Sequence, residues 1–444
     1  MRIKGKLLAI VVAILTLAGI FVVLSLNLDK KGNGTVDNVD VNQSIEIMSV
    51  DADILCFSIS SSAESYSISK NNNLWTVDGK SNVKLEQGNV SSVISKAKFL
   101  YADSLVAENA GDLAAFGLDN PALVVEMTDS DNNLYKVNFG MQTGTKSGYY
   151  TTVNDEDEVY VVSTTIFDSL NGGLASLRSK NIVSIDGEVT GFSIINPKSS
   201  YTIRLKITED VNANNLTRWE MITPYLKDVN QSIFEKNVVE ALDFTITDFI
   251  DDNPTDYSKY GLNNPKYSIT VNTQDKTYKV LLGNDKDGSS VYIKTDNEPN
   301  VYSISKEKVK YRDFEPVYLL DSYVFIKKLI SVDNVVFNAG ETYVLKTSDA
   351  DFYINNKRVE EALFRSAYES IITPLVSGEV NGGTVGKELC RFTFNYNTNT
   401  PSETVVYYEY GNMYAAASVN GNVDFYVKRS YVDNMINAVK KLAE

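Results

Sequence analysis

Two six-residue strings, FGLDNP at 116–121 and YGLNNP at 260–265, stand 144 positions apart in a chain of 444 residues. They constrain its fold more than any other feature, because the same landmarks return around them in the same order. Trp75 and Trp219 are also 144 apart, Gly140 and Gly283 are 143 apart, and Tyr160 and Tyr302 are 142 apart. A fixed period of this kind means that one supersecondary unit has been copied, each copy with an apolar face to bury. A third, worn copy follows. The stretch DFYINNKRVEEALFRSAYESIITPLVSGEV resembles the strand and helix that open each unit, and ETVVYYEYGNMYAAASVNGNVDFYVKRSYVDNMI resembles its closing strands and final helix. Val238 to Val359 is 121 positions and Val301 to Val423 is 122, so the third unit is shorter, and the Gly-Leu-Asx-Asn-Pro string is missing from it.

Spacing sets the elements inside a unit. Val90, Val93, Ile94 and Ala97 fall at i, i+3, i+4 and i+7, one face of a helix. Phe234, Val238, Ala241 and Leu242 form the matching stripe in the second unit, and Leu363, Ala367 and Ile371 in the third. Strands alternate instead: Leu134, Lys136 and Asn138 point one way, and Tyr135, Val137 and Phe139 the other, between Asp/Asn/Gly turns. The predicted fold class is therefore α+β, with repeated units of antiparallel β-sheet and a packed helix following an N-terminal transmembrane helix. The units are expected at 45–180, 181–325 and 326–444, with 45–70 and 181–208 adding strands ahead of the first two. In the repeated motif Gly117 and Gly261 read as tight-turn residues, Gly or Asn taking positive φ, with Asn120, Pro121, Asn264 and Pro265 completing the turn and leading into the next strand. Their role is read as structural, since no GxGxxG or GxxxxGK[ST] string occurs to cradle phosphate. Trp75 and Trp219, at equivalent positions, are expected in the cores rather than as sugar-stacking platforms.

The N-terminus carries the clearest functional signal. From Leu7 to Leu26 the chain runs 20 residues without a charge, enough at about 1.5 Å per residue for a hydrocarbon core of roughly 30 Å. A cleaved signal peptide has an apolar core of about 7 to 15 residues and an A-x-A-like cleavage site, and neither fits, so an uncleaved anchor is expected. No cysteine lies near the end of the run, which excludes a lipoprotein anchor there. Arg2, Lys4 and Lys6 precede it and hold that end in the cytoplasm, opposed only by Lys30 and Lys31 beyond it. The expectation is a cytoplasmic stub and transmembrane anchor over 1–28, a polar tether over 29–44 and a single pass through the cell membrane, with the bulk of the chain extracytoplasmic.

Composition excludes more than it nominates. Hydrophobic residues are 43% and charged residues 22%, which suits a folded globular chain. Histidine is absent, which removes Ser-His-Asp and Cys-His nucleophiles, imidazole zinc sites and histidine pH switches. The net charge of −15, which becomes −19 once residues 1–31 are set aside, repels a nucleic-acid backbone. Cys56 and Cys390 sit in apolar runs and are expected as buried thiols. S-x-x-K occurs at Ser67, Ser95, Ser303 and Ser305, but without the S-D-N and K-T-G that penicillin-binding chemistry needs. NDKDGS at 284–289 has Gly283 where a calcium loop has its first Asp, and Lys294 in the place of the bidentate Glu, so it reads as a hairpin turn. Asp155, Glu156, Asp157 and Glu158 read as a solvated turn. No catalytic, cofactor-binding or metal-ligating residue is nominated, and the chain is not expected to be an enzyme.

With FGLDNP and YGLNNP each followed by an apolar strand, a hairpin ending in Gly (NFG, LLG), an aromatic-rich strand and a Val-Tyr strand, residues 70 to 330 resemble the bacterial domain of unknown function 4340 family. The resemblance implies a membrane-anchored cell-envelope protein, often encoded beside an ABC transporter that resembles gliding-motility export systems. It implies no activity and no catalytic residue. The expected function is a binding or scaffolding subunit of an envelope complex, with the cytoplasmic membrane and ABC transporter subunits or other envelope proteins as partners. Two alternatives stay open: a glycan or peptidoglycan hydrolase working through two carboxylates about 5 to 10 Å apart, and a solute receptor with a cleft between units.

Overall fold

A computed structural model describes residues 44–206, 218–348, 351–380 and 384–444. The expected anchor, bounded by Leu7 and Leu26, and the tether up to residue 43 lie outside these residues. Among the described residues no helix is long and apolar enough to cross a membrane. The fold is three repeats of mostly antiparallel sheet.

The first repeat runs β1 (Ile45–Ser49), β2 (Ile54–Ser61), β3 (Ser65–Asn71), β4 (Leu74–Val77), α1 (Gln87–Lys98), β5 (Phe99–Ala102), β6 (Ser104–Ala107), β7 (Leu123–Asp129), β8 (Leu134–Gln142), β9 (Gly148–Val153), β10 (Val159–Ser163) and α2 (Thr164–Leu170). The second comprises α3 (Gly173–Leu177), β11 (Val189–Ile195), β12 (Ser200–Leu205), β13 (Trp219–Thr223), β14 (Lys227–Asp228), α4 (Gln231–Phe234), β15 (Asp248–Asp251), β16 (Tyr267–Thr273), β17 (Thr277–Asp285), β18 (Ser290–Thr295), β19 (Val301–Ser305) and α5 (Pro316–Leu319). The third comprises β20 (Val332–Asn338), β21 (Thr342–Ser348), β22 (Asp351–Ile354), β23 (Lys357–Val359), α6 (Glu361–Ile372), β24 (Val376–Glu379), β25 (Glu388–Tyr396), β26 (Glu403–Tyr410), β27 (Tyr414–Val419), β28 (Asn422–Lys428) and α7 (Arg429–Ala443).

By its contacts the chain forms two compact units: the described residues up to Ser67 with Ser91–Gly172, and Ile68–Val90 with Gly173–Glu444. In the first unit β1 pairs with β5 as a separate two-stranded sheet, while β2, β7, β8, β9, β10 and β6 follow one another with β3 outside β2. The second unit holds β4, which pairs with the later residues of β3, and two nine-stranded sheets. Their orders are β14-β13-β12-β11-β16-β17-β18-β19-β15 and β23-β22-β21-β20-β25-β26-β27-β28-β24, the same element for element. The third copy is therefore worn in sequence and whole in topology. What it has shed is the connection between its helix-side strand and the central hairpins, which spans 252–266 in the second repeat and 380–387 in the third. Asn-rich hairpin turns set the register: Asn72, Asn73, Asn355 and Asn356 all take positive φ, as two-residue turns between right-twisted strands require.

Alternation buries one face of the central strands, as in β7, where every second residue from Leu123 to Asp129 is buried. Val90, Ile94 and Ala97 of α1 are buried. In the second repeat Phe234 and Val238 lie in the core, but the helix is short: α4 gives way to a π-turn over Glu235–Val239. Ala241 and Leu242 lie past its end and are only partly buried. In the third repeat the buried face of α6 is Phe364, Ala367, Tyr368 and Ile371, and Leu363 is 50% exposed. Ala367 and Ile371 of the expected stripe are thus inward and only Leu363 is not, because Phe364, about 100° further round, takes the inward place in the first turn of α6. Trp75 and Trp219 are both buried; the Trp219 indole packs edge-on against Phe234 with centroids 5.0 Å apart and donates to Glu235 Oε1 at 3.1 Å. Cys390 is buried and Cys56 is exposed, and both are thiols. The expectation that Cys56 is buried fails because β2 turns Ile54, Phe57 and Ile59 inward, which leaves Cys56 outside.

Within the second unit the repeats are joined by a backbone clamp built twice. Glu86 N–H donates to Leu177 O (2.8 Å) and Ser179 N–H to Lys84 O (3.0 Å); then Ile246 N–H donates to Lys180 O (2.8 Å) and Ile182 N–H to Phe244 O (3.5 Å). The second clamp repeats this with Asn230 N–H to Leu319 O (2.8 Å), Asp321 N–H to Asp228 O (2.9 Å), Val376 N–H to Ser322 O (2.8 Å) and Val324 N–H to Pro374 O (3.0 Å). Each linker thus adds an extended segment to the repeat before it and another to the repeat after it.

Candidate functional site

The six motif residues come together as a brace inside each of the first two repeats. Asp112 and Asp256 accept from the N–H of Ala114 (3.1 Å) and Ser258 (2.8 Å), which starts a single 3₁₀ turn. Gly117 and Gly261 end that turn in the left-handed region, at φ 69° and 70°. Asn120 and Asn264 do not take positive φ. They stand exposed, just before Pro121 and Pro265 lead into the following strand. The N–H groups of the turn are spent inside it: Gly117 donates to Ala114 O at 3.0 Å, Leu118 to Leu113 O at 3.0 Å, Gly261 to Ser258 O at 2.9 Å and Leu262 to Tyr257 O at 3.1 Å. The hairpin glycines complete the brace, because a Cβ on Gly140 would lie 2.3 Å from Phe116 O, and one on Gly283 would lie 2.0 Å from Tyr260 O. This contact explains why each copy keeps a hairpin glycine facing its motif, 23 residues after Gly117 and 22 after Gly261.

The polar residues that do converge lie at the second clamp. A cavity of about 310 Å³ there is lined by Lys206, Lys227 and Lys327 and by five carboxylates, those of Glu220, Asp228, Asp321, Glu403 and Asp424. β13 and β14 supply Glu220, Lys227 and Asp228, the linker supplies Asp321, and β26 and β28 supply Glu403 and Asp424. Much of the charge is neutralised locally. Lys206 pairs with Asp228, Lys327 with Glu403 at 2.8 Å, and Glu220 with Arg204 at 2.9 Å. Lys227 instead donates to the backbone carbonyls of Tyr323 and Val324 and lies 5.8 Å from the centroid of Phe425. Phe425 packs 4.9 Å from Tyr225, whose hydroxyl donates to Glu379.

Two groups here are pushed toward their neutral forms. Burial lowers the Lys227 ammonium below its ordinary range, against the pull of Asp321 and Asp228. Burial raises the Asp424 carboxyl. The clamp at the other junction solves the same problem differently. There Arg178 is bound to Asp252 at 3.1 and 2.5 Å, with its guanidinium 3.8 Å above Phe249, beside an open cavity of about 800 Å³ that also includes Lys180 and Asp248.

None of the cavity residues was nominated from sequence, although the period held a signal for them. At the 144-residue offset Lys227 stands where the first repeat has Val83, a buried position. Strand pairing sets Phe425 opposite Glu379 as Tyr302 is set opposite Phe249, which places Asp424 at the position of Val301. The sequence match of Val301 to Val423 is one residue off, because the β27–β28 ladder bulges at Asp424. Val301 is buried in a small cluster with Tyr260 and Leu262 of the glycine turn. The third repeat lacks that motif, and position 424, half-buried, carries a carboxylate in place of the valine.

Other sequence candidates fall into structural roles. Ser303 donates to Asp248 Oδ2 at 2.7 Å, and Lys306 pairs with Asp285 at 2.8 Å. Asp287 accepts from the N–H of Ser289 and Ser290 in the β17–β18 turn. Asp155 pairs with Lys136 at 3.0 Å, and Glu158 accepts from the Tyr160 hydroxyl at 2.6 Å. Among the described residues no group of three or more Cys, Asp or Glu side chains is placed to hold a metal ion. The model of the family described as Domain of unknown function (DUF4340) matches residues 75–217 and again 219–381. No curated protein and no solved structure matches the chain.

Proposed function

This chain belongs to the domain of unknown function 4340 family, and from that premise we propose that it is a binding or scaffolding subunit of a cell-envelope complex, held at the cytoplasmic membrane by the apolar run from Leu7 to Leu26 with its sheets outside. The observation that carries this reading is the clamp built twice at equivalent positions. Within the second unit it joins one nine-stranded sheet to the next, and surface that grows with copy number is the usual basis of partner binding in repeat proteins. ABC transporter subunits are the partner class that the family suggests. The test is mass spectrometry of proteins recovered with tagged full-length chain from mild-detergent membranes. Recovery of transporter subunits supports the reading, and recovery of the tagged chain without envelope partners overturns it.

The ionic cavity favours a second reading, a solute receptor. Its volume of about 310 Å³ stands at the lower end of small-molecule sites, roughly 300 to 1,000 Å³. With Arg204 paired to Glu220, five carboxylates face four cations, and the one in excess favours a solute with net positive charge. Calorimetric titration with a diamine and with a dicarboxylate distinguishes the two signs. Binding of the diamine that weakens in Asp424→Asn supports the receptor, and equal indifference to both removes it.

A further inference from the structure

We propose that copies of this chain associate end to end, the edge at 358–360 of one copy receiving the strand Ile45-Glu46-Ile47 of the next. This would be a third instance of the junction the chain already builds twice. In both internal junctions the residues just ahead of a helix, 84–86 and 228–230, receive an extended segment, 177–179 and 319–321. The bridges pair Leu85 with Arg178 and Val229 with Leu320. Leu85, Val229, Leu177 and Leu319 are all buried.

The third repeat presents the receiving half of this junction. Asn230 and Glu360 are both N-caps of the helix, and Lys227 and Lys357 both open the edge strand, so Val359 stands where Leu85 and Val229 stand. Among the described residues no segment bonds to 358–360 as the linkers do, and Val359 is only half-buried.

The inserting half is β1. In the first unit Val50 N–H donates to Lys98 O at 3.1 Å, as Ile182 N–H does to Phe244 O. β1 therefore plays the part of a linker with no preceding repeat among the described residues. Its sheet has two strands, so among the described residues its outer edge carries none. In that register Ile45 takes the place of Leu177 and Leu319, and it is 38% exposed where they are buried. Glu46 takes the place of Arg178 and Leu320, opposite Val359, whose chain neighbours on the receiving edge are Arg358 and Glu360. One chain thus carries both halves of a strand-addition contact at separate sites, which makes the contact heterologous and open to chain growth. The inference goes beyond the partner and solute readings and does not depend on either.

The test uses full-length protein in detergent micelles, with mass measured by light scattering over a concentration series. Glu360 has φ −66° and ψ 133°, a conformation that proline adopts without strain, so Glu360→Pro deletes the receiving N–H and leaves the helix start intact. The wild type is expected to form a concentration-dependent ladder of oligomers that Glu360→Pro weakens about tenfold or more. In a Cys56→Ser background, mixing Val359→Cys copies with Glu46→Cys copies is expected to give a disulfide-linked dimer of unlike copies. Monomers throughout the series overturn the proposal. So do oligomers that ignore Glu360→Pro and give no disulfide between unlike copies, since these would associate through another surface.

Discussion

Replacing Gly283 by alanine isolates the brace as a purely steric device, because Gly283 does not need positive φ. The new Cβ would lie 2.0 Å from Tyr260 O and 3.0 Å from Leu262 Cγ. Nonbonded heavy atoms rest near 3.5 Å, so the glycine turn must retreat by ~1.5 Å. That retreat opens the cluster of Tyr260, Leu262 and Val301, in which each buried side chain contributes roughly 1.5–3 kcal/mol. A loss of about 3–5 kcal/mol is expected. Two controls separate the components. Gly411 has φ 65° and nothing within 4 Å of its Cβ position, so alanine there costs only the left-handed conformation, ~1–2 kcal/mol. Gly288 has open space and no positive φ, so alanine there is neutral or gains about 0.4–1 kcal/mol by restricting the unfolded chain. The assay is urea unfolding paired with hydrogen exchange over 257–265, because a chain of repeats need not unfold in one step. The reasoning is refuted if Gly283→Ala unfolds within about 1 kcal/mol of Gly288→Ala.

Two further outcomes are expected. Burial raises the Asp424 carboxyl above its ordinary 3.8, so the proton it holds stabilises the native state fully below the unfolded value, and that stability is lost as pH rises through the native one. Asp424→Asn should therefore be the more stable form at neutral pH, by about 0.5 kcal/mol or less after solvent screening. The gap should close toward pH 3.8, and melting curves in which it widens on acidification would contradict this. Burial also pushes the Cys390 thiol up to about 12, whereas Cys56 is exposed. Iodoacetamide at neutral pH should then label Cys56 in the native protein and Cys390 only after unfolding, as peptide mapping would show.

Most of the fold was legible because repetition and alternation are written in residue types. Matched tryptophans, glycines and helix stripes revealed the repeat, and alternation between Asp/Asn/Gly turns revealed its hairpins. Positions whose meaning depends on a neighbouring repeat were harder to read. Leu363 fits the period of an apolar stripe, and only the start of α6 at Glu361 shows that Phe364 holds the inward place. The bulge at Asp424 shifts the third repeat by one residue, which no spacing rule reveals. The cavity depends on contacts between elements far apart in the chain, from Lys206 to Phe425. Its one local trace is a lysine at 227 in register with Val83.

The linkers belong half to the repeat before them and half to the repeat after, so the natural seam of this protein runs through the middle of a connection. Residues up to Ser179 complete one clamp half and residues from Lys180 begin the other, with Asp321 and Ser322 as the matching boundary further on. Excising 180–321 would splice Ser179 directly to Ser322 and leave every backbone bond of a working junction in place. Cuts at the sheet margins would strand one half of each clamp. Gain or loss of whole copies by recombination is therefore nearly seamless at this boundary, and array length is a quantity that can vary without redesign of any interface.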